Sequence, residues 1–301
     1  MSATTPTLAA TLIDSAASAP LPPPSTFWSR FRRNPVAMGS LIILIVITLV
    51  AIFAPEIAPH SPTRSSLRNV LKAPTGTYWL GTDDLGRDVA SRLIHASRLS
   101  LVASVQAMSI AVIIGLPLGL ISGYAGGWTD IVITRINDAI MSFPALILAV
   151  VIVGLMGPSL VNAMTAIGIV YAPRIMRVVR GSTLSVREEV YIMAARATGC
   201  SDTRIIVHHV LPNIVGPLLV QATVLLGHAL LAEAGLSFLG LGAQPPQASW
   251  GAMLGQAFPY MAQSPVPTIA AGMVISVTVL CFNLLGDGLR DSVGRVRRAG
   301  E

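Results

Sequence analysis

Few side chains in this chain could do chemistry, and the spacing of most of them argues against it. A phosphate-binding loop of the Gly-Lys type needs a lysine directly after a glycine; the single lysine, Lys72, follows Leu71. A zinc hydrolase helix needs two histidines four apart, with a glutamate beside the first. His208 and His209 are instead adjacent and project to different sides of a helix. Cys200 and Cys281 are far apart with no His or Cys at ligand spacing, so neither a disulfide framework nor a metal site is expected. No nucleophile elbow and no paired carboxylates occur. Two ionisable residues, His228 and Glu233, lie inside a long apolar run. Embedded ionisable groups are candidates for function, here a translocation path, with an interhelical hydrogen bond as the alternative for each. They are five residues apart and so are not direct helical neighbours; Glu233 falls near the end of its run, where an interface could solvate it. The remaining polar concentration is "AARATGCSDTRIIVHHVLPN", residues 194–213, with two Arg, two His, one Asp and one Gly between apolar runs.

The elements that must position these groups follow from composition. Of 301 residues, 53% are hydrophobic and only 11% charged, with mean hydropathy +0.70. A soluble domain carries about 25% charged residues, so this surface is one that lipid accepts. The net charge of +6 comes from nineteen Arg and one Lys that flank apolar segments, without a basic stripe interleaved with aromatics. That pattern is the positive-inside bias of membrane loops and not a nucleic-acid footprint.

Six apolar segments are expected to span: 36–54, 99–124, 139–156, 160–172, 214–236 and 266–285. The first is charge-free for 19 residues, roughly 28 Å of helix against a hydrocarbon core of about 30 Å. "FWSRFRRNP" before it supplies interfacial anchors and a cytoplasmic N-terminus. The fourth is short and must run on past Pro173, with Arg174 and Arg177 snorkelling to the interface. Pro117 and Pro144 fall within apolar segments, where kinks are tolerable. With both termini inside, fourteen basic residues lie inside and six outside, which supports that orientation. Residues 1–26 are polar and Pro-rich without a basic n-region, as in a disordered cytoplasmic tail rather than a signal peptide. Gln106 and Asn162 are expected to make interhelical hydrogen bonds. The expected organisation is a tail and interfacial segment (1–35), a first span with its outer loop (36–98), a core of five spans (99–288) and a basic cytoplasmic tail (289–301).

All six outer basic residues sit in the first outer loop, in and before "LGTDDLGRDVASRLIHASRLSL", residues 80–101. Leu85, Val89, Leu93 and Ala96 at helical spacing, with Asp83–Arg87 and Asp88–Arg92 as i,i+4 pairs and Thr82 as cap, predict an amphipathic helix on the membrane surface. "GLGAQPPQASWG" (240–251) reads as a stiff outer loop with Trp250 at the interface.

The polar island belongs to an inner segment of about 174–213. Val186, Val190, Ala194 and Ala197 share a helical stripe, and Gly199 breaks the helix as a left-handed C-terminal residue. Ser201 and Asp202 start a second helix that carries Ile205, Ile206 and Val210 inward and stops at Pro212. The small residues Ala194, Ala195 and Ala197 beside Gly199 would let another surface approach closely.

With Ala194, Ala195, Gly199, Leu211 and Pro212 in these positions, the segment resembles the "EAA" loop of binding-protein-dependent ABC importer permeases. "RRNPVAMGSLIILI", "LGTDDLGRDVASRL", "DAIMSFPALILA", "EAGLSFLGLGAQPPQASWGAML" and "NLLGDGLRD" extend the likeness over residues 27–298, to the C-type permease of the dipeptide/oligopeptide/nickel group. Met193 departs from that pattern, standing where the signature has Glu, so no role of that glutamate transfers. The resemblance implies an all-α, polytopic membrane protein of six transmembrane helices with the type I ABC importer permease fold. It implies that Ala194, Ala195, Arg196, Gly199, Asp202, Leu211 and Pro212 belong to an ATPase-coupling loop. It also implies a second permease subunit, two cytoplasmic ABC ATPases that carry the ATP and Mg, and an extracytoplasmic solute-binding protein. No cofactor is then expected on this chain, whose nonprotein partner is membrane lipid. Rival readings are weaker: a secondary transporter would want inverted repeats or broken helices with ion-coordinating acids, and a membrane enzyme would want a catalytic constellation.

Overall fold

The computed structural model describes residues 27–298; the tail expected over 1–26 and residues 299–301 lie outside the described residues. A short helix α1 (Phe27–Arg32) precedes α2 (Pro35–Ile52). Asn34 joins them, its Oδ1 accepting from the amides of Val36 (3.2 Å) and Ala37 (3.1 Å), and Pro35 opens α2 where a missing N–H costs nothing. Trp28 stacks on Phe31 with Arg32 over its ring, the amphipathic anchor that interfacial aromatic and basic residues form.

The long α3 (Val89–Ala125, 37 residues) corrects the outer-loop expectation. No separate surface helix forms, because Gly81 and Gly86 take positive φ and fold residues 80–88 into a turn closed by a Thr82–Asp88 bridge. Asp88, not Thr82, caps the helix, accepting from the Ser91 amide (3.0 Å) and hydroxyl (2.5 Å). Asp83 and Arg87 pair as expected at 2.6 Å. Arg92, with Asp88 already engaged, turns to Asp83 (3.4 Å) and the Gln256 amide oxygen (3.0 Å).

The third expected span is broken. Helix α4 (Gly127–Met141) and α5 (Ala145–Met156) meet at 90°. Pro144 denies Phe143 the helical region and so ends a helix that it was expected only to kink. Helix α6 (Leu160–Arg187) runs through Pro173 as its short apolar stretch required. Beyond a short α7 (Val190–Ala197) comes α8 (Asp202–Phe238), then α9 (Trp250–Ala257) and α10 (Pro265–Arg298). The expected stop at Pro212 does not occur. Residues Ile206–Val210 widen into a π turn in which the Leu211 amide reaches back to the Ile206 carbonyl, and the helix passes Pro212 unbroken. The expected tail from 289 is likewise helical as far as Arg298.

Four of these helices (α2, α3, α8 and residues 265–293 of α10) are long and apolar enough to cross a membrane, five spans if bent α4–α5 counts as one. The fourth expected span, 160–172, lies in α6, which is less apolar for a physical reason: most of its surface is covered by other helices. Met164, Ile167, Ile175 and Val179 are all at most 1% exposed, so α6 has little need of a lipid-facing surface.

The core rests on α3 against α6. Ala103, Ala107, Ala111, Gly115, Gly119 and Gly123 recur every four residues on α3, one stripe of small side chains. A Cβ on Gly115 would lie 2.6 Å from the Ala172 carbonyl, on Gly119 2.7 Å from that of Met176, and on Gly123 2.7 Å from Thr183 Cβ. Gly168 on α6 returns the fit against Ile110. Gln106 spans the same seam to the Val161 carbonyl (3.0 Å), as expected of it. Asn162 also joins two helices, donating from α6 to the Met156 carbonyl of α5 and to that of Gly157 in the turn between them.

A Gly119→Ala variant is expected to lose about 1–3 kcal/mol by forcing the seam apart. Gly154→Ala, where a Cβ meets nothing within 4 Å, should be neutral or slightly stabilising. Thermal unfolding of the two variants in the same detergent separates them.

Candidate functional site

At one end of the bundle, α7 and the first turn of α8 form a helix–Gly–helix hairpin. The sequence dictates the break. Gly199 has φ +81°, its amide donates to the Arg196 carbonyl (3.0 Å), and the Cys200 amide donates to that of Ala195 (3.1 Å), which makes a Schellman C-cap. Ser201 stands at the N-cap position of the second helix.

The expected stripe is interrupted, since Glu188 and Glu189 separate α6 from α7, leaving Val186 buried in the core. Ile192 and Ile205 (both 0% exposed) and Val210 anchor the hairpin, with Ala195 and Ile206 partly buried beside them. Val190, Tyr191, Met193, Ala194, Arg196, Ala197, Gly199, Asp202, Arg204 and Pro212 are exposed, and Leu211 is half-buried. The hairpin therefore buries a thin apolar edge and offers a broad face of small and apolar residues with basic and acidic groups around it. The proposed coupling residues lie together here, Leu211 and Pro212 one π turn beyond the others.

Tyr124, in the last turn of α3, is the residue that sequence reasoning missed. Its hydroxyl donates to Asp202 Oδ1 (2.6 Å), the Arg196 guanidinium lies 4.9 Å from its ring centroid, and its carbonyl accepts from Arg187 Nη1 (2.9 Å). It is 8% exposed. Seventy-eight residues separate Tyr124 from Asp202, and no local pattern marks such a pair. Beside it Arg180 forks onto Asp130 (2.5 and 2.6 Å), the bidentate geometry that binds guanidinium to carboxylate most strongly, and ties α6 to α4. Arg177 reaches Asp138 (2.9 Å) in the open, and Arg174 lies over the Tyr171 ring, so these two are held by protein partners.

Glu233 and His228 are not brought together. His228 is exposed, and its Nδ1 donates to the Val224 carbonyl (2.9 Å), which leaves Nε2 facing outward. Glu233 is 0% exposed, not solvated at an interface. Ser237 donates to its Oε1 (2.7 Å) and Ser100 to its Oε2 (3.2 Å), while Ser100 Oγ also accepts from the Trp250 amide (3.1 Å). One carboxylate thereby joins α3, α8 and the start of α9. Trp250, expected at the interface, is 1% exposed and donates its Nε1–H to the Leu93 carbonyl (3.1 Å). Its indole found a polar partner inside the bundle, which a buried Trp requires.

Residues 115–295 match the family described as binding-protein-dependent transport system inner membrane component. Residues 25–74 match the N-terminal transmembrane domain of oligopeptide transport permease C. The chain belongs to the inner membrane components of binding-protein-dependent transport systems. It is 44% identical over 266 residues to a dipeptide transport system permease protein of Alkalihalophilus pseudofirmus, covering 88% of each chain. It is 39% identical to a glutathione transport system permease protein of Pectobacterium atrosepticum, over 89% of each chain. Among solved structures, a chain of the MetNI methionine ABC transporter in an inward-facing conformation matches with a TM-score of 0.56 and 21% identity. That likeness covers 67% of this chain and 96% of the other, and establishes the permease fold. The inner membrane component is therefore a multi-pass permease subunit of an ABC importer, and the secondary-transporter alternative is set aside.

Replacing Glu233 with Ala leaves the Ser100 and Ser237 hydroxyls without their acceptor and is expected to cost about 1–3 kcal/mol. Glu233→Gln keeps one acceptor oxygen and should cost less. Unfolding temperature and protease sensitivity of the 240–257 segment check both.

Proposed function

We propose that this permease, paired with a second permease subunit, forms the path by which short peptides, glutathione among them, enter the cell, driven by two cytoplasmic ATPases that hold the ATP and Mg. The observation that carries this reading is the exposed helix–Gly199–helix hairpin, in a chain whose only lysine cannot form a Gly-Lys phosphate loop. The work of hydrolysis then falls to partners, and the hairpin is the face offered to them through Ala194, Ala195, Arg196, Gly199, Asp202, Leu211 and Pro212. The names of the dipeptide and glutathione permeases support the substrate class. An extracytoplasmic solute-binding protein delivers the substrate at the opposite end.

In this reading the hairpin and both termini face the cytoplasm, the orientation that the distribution of arginines favours. Residues 99–288 are the permease core and 36–98 the added first span and outer loop. His228, on an open face of α8, is the better placed of the two candidates for the translocation path. We assign Glu233 to tying the helices at the outer end.

The test is uptake of a labelled dipeptide and of labelled glutathione into proteoliposomes holding the permease pair, the ATPases and the binding protein. ATP-dependent uptake of one or both is expected for wild type. Gly199→Asp, which places a Cβ and a charge at a left-handed backbone position on the docking face, should reduce uptake at least tenfold and lose ATPases on co-purification. Uptake that follows an ion gradient without ATP contradicts the proposal.

A further inference from the structure

Resting on the proposed function, we infer that Tyr124 is the positioning residue through which movement of the hairpin reaches the outer loop. The apolar anchors of the hairpin, Ile192 and Ile205, fill the core without fixing direction, because burial is non-directional. The directional contacts converge on Tyr124 from three elements: Arg187 from the end of α6, Arg196 from α7 and Asp202 from the start of α8. The phenol hydroxyl holds the second arm of the hairpin, the ring carries the first arm, and the carbonyl takes the preceding helix.

Tyr124 also stands at the end of a rod. Helix α3 has 37 residues, about 55 Å of helix, with Pro117 inside it between Gly115 and Gly119, where the seam with α6 braces it. Along it, the glycine seam at Gly115, Gly119 and Gly123 locks α3 to α6 backbone against backbone, so the two shift as one body. At its far end the same helix holds the segment after α8 by three bonds and the end of α8 by a fourth. Leu93 accepts from Trp250 Nε1, Ser100 accepts from the Trp250 amide and donates to Glu233, and Arg92 donates to Gln256. A tilt imposed at Tyr124 therefore appears at α9, the element bordering the outer loop. Coupling between distant sites needs an element that both sites bias; α3 is tied to the hairpin at one end and to the outer loop at the other.

The test uses the full complex in nanodiscs and reads the ratio of ATPase activity with loaded binding protein to activity without it. Tyr124→Phe keeps the ring under Arg196 and removes only the hydroxyl; the ratio is expected to fall at least fivefold. Asp202→Ala should give the same loss. Asp202→Asn, which still offers an acceptor oxygen to the phenol, should recover at least half of the wild-type ratio. The double variant Tyr124→Phe/Asp202→Ala should be no worse than either single one. A wild-type ratio in Tyr124→Phe, or losses that multiply in the double variant, overturns the inference. The Asp202→Asn and Asp202→Ala pair decides it alone where Tyr124→Phe yields no folded complex: equal losses in the two overturn it. Failure of the proposed function looks different, as ATPases absent from the purified wild-type complex.

Discussion

The bundle is organised around the approach of α3 to α6, where three glycines leave no room for a Cβ against opposing backbone carbonyls and Thr183. In lipid, apolar side chains gain little by leaving one greasy neighbour for another, so helices associate through close packing and interhelical hydrogen bonds. Small residues every fourth position from Ala103 to Gly123 supply that packing over some twenty residues. With α6 packed along the seam, its Arg-rich second half reaches sideways and onward, Arg180 to Asp130 and Arg187 to the Tyr124 carbonyl. The hairpin then emerges from a rigid base.

The polar residues inside the bundle follow from the same economy. Helix α3 presents Ser100 to Glu233, and Leu93 lends its carbonyl to Trp250, so each buried polar group that joins α3 to α8 or α9 has a protein partner. The fully buried Glu233 carboxylate is met by two hydroxyls, and its removal strands them. The end opposite the hairpin is held by serine hydroxyls around one buried acid and by the buried pairing of Arg87 and Arg92 with Asp83, and the hairpin end by ion pairs and a phenol.

Much of this was legible in the sequence, but unevenly. The helix–Gly–helix hairpin could be read from Gly199, Ser201 and the apolar Ile205 and Val210, because C-caps and N-caps are local chemistry. Composition gave the membrane class for the same reason that lipid selects it. The breaks were harder. Pro144 and Pro212 look alike as prolines within apolar runs, yet one ends a helix and the other is absorbed by a π turn, a choice settled by what packs around each. The surface helix expected over 80–101 failed because Gly81 and Gly86 outweigh an apolar repeat. The pairs that matter most, Tyr124–Asp202 and Ser100–Glu233, join residues 78 and 133 apart. The small-residue repeat on α3 takes on meaning only once α6 is seen packed against it, a partner that no local pattern names.

The most direct measurement of the central claim, that the hairpin is the face on which an ATPase sits, is photo-cross-linking in the native membrane. A benzophenone side chain is placed at Met193, 54% exposed on α7, and at Leu155, 86% exposed at the other end of the bundle. The expected result is an adduct of this chain with an ATPase from Met193 and none from Leu155. An ATPase adduct from Leu155 alone, or from neither position in a complex that transports, would contradict it.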